Sequence, residues 1–160
     1  MKLLRTIRFD ATDDKVFPHA AAADEIAVAG AFLFADDEPE TLAGKRLQAF
    51  KSGFLGLESF GFSTFAAVAE VSNADYARAI DLLAYRLFAE FGAPDLEAAR
   101  AAAKEEVDFA AGLCVHPVNT IVAVARELDE DGIKERFRTV TAPREKDHAK
   151  VWDLGRETDA

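Results

Sequence analysis

Apolar and polar residues alternate along this chain in two different rhythms, and the change of rhythm marks its elements. Leu3 to Phe9 carries apolar positions mixed with Arg5 and Arg8, the pattern of a strand with one wet face. Ile26 to Phe34 is apolar on both faces and predicts a second, central strand. Asp10 to Asp24, with Pro18 and His19, predicts the polar loop between them. Acids at Asp36, Asp37, Glu38 and Glu40 around Pro39 suit the positive end of a helix. That helix is expected to run through Leu42, Leu47 and Phe50 to Gly53, with Lys45, Arg46 and Lys51 outside. Phe62 to Val71 predicts a third strand. Asn73 is placed to cap a helix over Ala74–Phe91, where Tyr76, Ile80, Leu83, Leu87 and Phe91 recur at helical spacing. Gly92 ends it, and Pro94-Asp95 opens a third helix with the stripe Leu96, Ala99, Ala103, Val107, Ala110 and Cys114. Asn119 to Leu128 and Ile133 to Val140 predict two strands joined by the turn Asp129-Glu130-Asp131-Gly132.

The order is ββαβααββ. It predicts a single α+β domain over residues 1–142: a largely antiparallel five-stranded sheet with helices packed on one face. Residues 143–160 form a charged tail, expected to dock through Val151-Trp152-Asp153-Leu154.

Charge narrows the partners. Nineteen basic against 29 acidic residues give a formal net charge of -10, which repels phosphate backbones and argues against nucleic acid. No window reaches the ~18 apolar residues of a membrane span, and the N-terminus has no signal-peptide core. One cysteine implies no intrachain disulfide. A cytoplasmic location is the expectation.

The richest segment for chemistry is Glu105 to Pro117, where acids, Cys114 and His116 lie close together. Cys114 sits on the apolar stripe at a helix C-terminus, where the dipole raises a thiol pKa. His116 is better placed, as a general base or a helix cap. Glu106 flanks the stripe and could enter a pocket. Together they are the candidates for a hydrolase or thioesterase-like enzyme. No metal or cofactor is implied: Cys-x-His lacks a second ligand pair, and His19 and His148 are isolated. Ser52 to Phe62 alternates glycines with large apolar residues but lacks the Lys-Ser/Thr ending of a phosphate loop. It predicts a turn or bulge, with Phe54, Leu55, Phe60 and Phe62 lining an apolar groove for a ligand or partner chain. Lys134, Arg136 and Arg138 share one strand face, placed to pair with Glu127 and Asp129 across the hairpin or, alternatively, to bind an acidic ligand or partner.

Lys51-Ser52-Gly53-Phe54-Leu55-Gly56-Leu57 with Ser59-Phe60-Gly61, then Phe91 to Leu96, then Phe109 to Pro117, are motifs of a known group. Across nearly its whole length the chain resembles a family of small uncharacterised proteins from alphaproteobacteria. The resemblance implies a bacterial cytoplasmic protein and carries over no catalytic or binding residue. The favoured expectation is a non-enzymatic binding or accessory module, as a homodimer or with a protein partner. The small hydrolase is the alternative, and an acidic chaperone-like dimer is a second one by analogy.

Overall fold

A computed structural model of the chain describes residues 1–9 and 13–140. The expected docking of Val151–Leu154 lies outside these residues. Seven strands form: β1 (Lys2–Thr6), β2 (Ile26–Val28), β3 (Phe54–Gly56), β4 (Phe62–Ser63), β5 (Phe65–Glu70), β6 (Ile121–Asp129) and β7 (Gly132–Val140). Four helices accompany them: α1 (Asp13–Val16), α2 (Gly44–Ser52), α3 (Asn73–Glu90) and α4 (Leu96–Gly112). The sheet order is β4-β3-β2-β1-β5-β6-β7, antiparallel throughout, so β1 is central.

The sheet curls because β4 and β5 are nearly one strand. Thr64 alone separates them, yet β4 pairs with β3 while β5 pairs with β1. Ser63 stitches the bend: its Oγ accepts from Ile7 N at 3.2 Å and lies 2.6 Å from Phe65 O. The core fills with Leu3, Leu4, Val28, Phe34, Phe54, Leu55, Val68, Leu83 and Val107. Each such side chain, fully buried, contributes about 1.5–3 kcal/mol.

Five strands were expected and seven are observed. One addition, β3, is three residues long, below the length at which alternation can be read, and the other arises because the strand expected over Phe62–Val71 breaks at Thr64 into β4 and β5. The second strand stops at Val28 because Gly30 turns the chain at φ 89° into a 3₁₀ turn over Ala31–Phe34. The second helix begins at Gly44, not in the acidic run, so Asp36–Glu40 forms turns before it. The long helix is capped by Ser72 rather than Asn73. Ser72 Oγ accepts from Asp75 N at 3.0 Å, and Asp75 reaches back to Ser72 N, a reciprocal capping box.

The expected α4 stripe holds at Ala99, Ala103, Val107, Ala110 and Cys114, while Leu96 in the first turn is exposed. The alanines allow α4 to lie close against β1 and β2, and α3 packs on α4. Arg126 completes the frame. Its side chain is 0% exposed on β6, and its guanidinium donates to Phe50 O and Gly53 O at 2.9 Å and to Ala29 O. One side chain thus ties β6 to the last turn of α2, the exit of β2 and the entry of β3.

Candidate functional site

The glycine-rich loop between β3 and β4 is built on one buried carboxylate. Glu25, just before β2, is 2% exposed. Its Oε1 accepts from Glu58 N at 3.0 Å and Ser59 N at 2.7 Å. Its Oε2 accepts from Ala22 N at 2.7 Å and Ser59 Oγ at 2.6 Å. A buried charge needs this many donors to offset its lost hydration.

Two glycines make room for the arrangement. A Cβ on Gly56 would lie 2.7 Å from Glu25 Oε1, and one on Gly61 would lie 2.6 Å from the carbonyl of Ala20. Gly61 N also donates to Ser59 Oγ at 3.0 Å. Phe60, clamped between Ser59 and Gly61, takes φ 60°. A bulky residue in that left-handed region costs about 1–3 kcal/mol and persists only where its surroundings hold it.

The clamp presents the Phe60 ring at the surface. Phe60 is half-buried, 6.0 Å from Phe91, with the Arg86 guanidinium 4.6 Å over its face. Phe91 closes α3, is 44% exposed and stands edge-on to Phe32 at 5.8 Å. Three separate segments thus converge: the 3₁₀ turn, the loop Leu57–Gly61 and the end of α3. Ion pairs flank this aromatic cluster, Arg86–Glu90 at 3.1 Å and Arg78–Glu58 at 2.9 Å.

Of the four residues expected to line a groove, only Phe60 reaches this surface. Phe54 and Leu55 are fully enclosed and Phe62 is 9% exposed, packed against Phe17 and Phe34. Phe91 was read as the last position of the apolar stripe of α3 but is exposed, and Arg86 was not singled out because it sits far along the chain on an ordinary helix.

The acid, thiol and imidazole of the Glu105–Pro117 segment part company. Cys114 is buried, its Sγ donating to Ala110 O at 3.4 Å, and burial pushes the thiol up to about 11. His116 is half-exposed, its carbonyl accepting from Lys2 Nζ at 2.7 Å. It lines an open cleft of about 310 Å³ with Leu113, Val115, Phe137, Arg138 and Thr139. Glu106 answers instead to Glu135 and Arg126. Among the described residues, no hydrogen bond joins Glu106 to His116. Among the described residues, no group of three or more His, Cys, Asp and Glu is arranged to hold a metal ion. No described helix is long and apolar enough to cross a membrane.

Burial, then the charges of Glu135 and Glu105, raise the pKa of Glu106, against the pull of Arg126. A carboxyl with a raised folded pKa costs stability once ionised. The cost is absent below the unfolded pKa and complete above the folded one. Glu106→Gln should therefore raise the melting temperature at pH 7 by about 1–3 °C. The gain should fade as the pH drops through the ordinary carboxylate range, which thermal melts at pH 7 and pH 4 would check.

One comparison with known proteins finds a relationship. The model of the Family of unknown function (DUF6505) matches residues 1–153. The chain belongs to that family. No curated protein and no solved structure matches it. The family match spans every residue of the Phe60 surface, the Glu25 clamp and the His116 cleft.

Proposed function

We propose that this protein is a non-enzymatic binding or accessory module that works as a homodimer, with the Phe60–Phe91 surface as its contact. The observation that carries the reading is Phe60 itself. A large apolar side chain is held half-exposed at φ 60° by a buried carboxylate and two glycines with no room for a side chain. Strain of this kind collects where a chain must present a group. Exposed aromatics beside an arginine are the composition of an interface centre.

A second copy is the occupant that the flanking charges favour. A twofold contact has to be self-complementary. The aromatic surface carries both signs at its rim, Arg86 and Arg78 with Glu90 and Glu58, so each copy can offer acids to the other's arginines. An acidic chain gains from such pairing, since its net charge of -10 otherwise opposes association.

Light scattering on a sizing column tests this. The wild type should elute as a dimer at micromolar concentration. Phe60→Asp with Phe91→Asp should elute as a monomer and keep its circular dichroism. A wild-type monomer, or a double variant that stays dimeric, would sink the proposal. Phe62 is unsuitable as a target, because a charge there enters the core.

A further inference from the structure

A second surface lies at the other end of the sheet and owes nothing to Phe60. Among the described residues β7 is an edge strand: it pairs with β6 alone, over nine residues from Gly132 to Val140. Half of its backbone N–H and C=O groups therefore face away from any described strand.

Three features distinguish this edge. First, Lys134, Arg136 and Arg138 are exposed in a row on one face of a chain with net charge -10. Lys134 pairs with Asp129 at 3.1 Å and Arg136 with Glu127 at 3.3 Å, both on the surface. Such exposed pairs are worth about 0–1 kcal/mol and exchange easily. Arg138 has no ion-pair partner among the described residues. Second, the cleft of about 310 Å³ opens between this end of β7 and the end of α4, lined by Leu113, Val115, His116, Phe137, Arg138 and Thr139. Its walls are apolar, with one arginine, one imidazole and one hydroxyl at hand. Third, Phe109 projects from α4 half-exposed beside Phe137, at 5.7 Å, on the same side of the hairpin.

We propose that β7 is the docking edge for an extended acidic segment of a partner protein, which adds to the sheet as an eighth strand. Backbone pairing would supply affinity that depends little on sequence. Selectivity would come from alternation. Residues of the segment facing the basic row would be Asp or Glu, and one apolar side chain would enter the cleft between Phe137 and Leu113. Charge complementarity favours an acidic partner: an acidic chain repels acidic segments everywhere except along such a row. Charges on an edge also discourage pairing between copies, and a row of one sign does so while still admitting a strand of the opposite sign.

The test uses the full chain and two synthetic peptides, an eight-residue alternation of glutamate and valine and the same peptide with lysine for glutamate. Fluorescence anisotropy reads binding, and hydrogen exchange reads the β7 amides. The acidic peptide should bind at least about tenfold more tightly than the basic one and should slow exchange in β7. Arg138→Glu should weaken it about tenfold, and Arg138→Lys should restore most of the loss. Equal binding of both peptides, or no protection in β7, would overturn the proposal. So would β7 protection without peptide that rises with protein concentration, because it would assign the edge to a second copy.

Discussion

Replacing Arg126 with methionine should cost about 3–5 kcal/mol, the largest loss expected from any single substitution here. The guanidinium is sealed from water and spends its donors on Phe50 O, Gly53 O, Ala29 O and, through Nε at 2.7 Å, on Glu135. Methionine matches the stem in volume but leaves these acceptors without donors, each a penalty of about 1–3 kcal/mol where water cannot replace the arginine. It also strands the Glu135 carboxylate, whose side chain is only 18% exposed, next to Glu106. Since a domain of this size is stable by about 5–15 kcal/mol, the variant should lose at least about a fifth of its stability. Urea titration followed by circular dichroism is the measurement. A midpoint within error of wild type would mean that the guanidinium hub contributes little. Glu135→Gln should be milder, because its neighbour keeps three carbonyl partners.

Glu25→Gln should be the second most damaging change, at about 2–4 kcal/mol. The carboxylate accepts from four donors. An amide offers one oxygen and turns its NH₂ toward N–H groups that also need an acceptor. The melting temperature should fall by about 4–16 °C. Gly56→Ala should act in the same direction, since its Cβ would press on Oε1. Both changes release the clamp on Phe60, so both should weaken self-association as well as stability. Thermal melts and light scattering on the same samples separate the two effects. A Glu25→Gln protein with wild-type melting would refute the account of the clamp.

The long elements were legible because periodicity accumulates with length. The stripes of α3 and α4 and the β6–β7 hairpin, with Gly132 at φ 106°, lie close to where pattern and turn chemistry put them. The pairing of Lys134 and Arg136 with Asp129 and Glu127 followed from the two-residue period alone. The short strand β3 and the break between β4 and β5 were illegible for the opposite reason. Their glycines invite a reading as turn, yet neither Gly56 nor Gly61 has a positive φ, and they are glycine because Glu25 and Ala20 press against them. That reason lies some 30 to 40 positions away in sequence. Glu25 fell between the polar loop read to Asp24 and the strand read from Ile26, and nothing local marks it as a buried hub. Arg126 did leave a trace: it continues the inward positions Val122 and Val124, and an arginine there needs partners. What Glu106 and His116 each face was beyond reach, because helix spacing says which residues share a face but not what that face meets.

The central place of β1 reaches back to how the chain is made. Lys2 to Thr6 pairs along its whole length with Ala66 to Glu70, so β1 cannot take up that pairing until some 65 further residues have been made. At about 5–20 residues per second, that is a wait of roughly 3–13 s. Throughout it, Leu3 and Leu4 belong to a nascent strand with one flank unpaired. Synthesis speed between Thr6 and Glu70 should therefore govern the yield of native protein more than speed beyond Glu70.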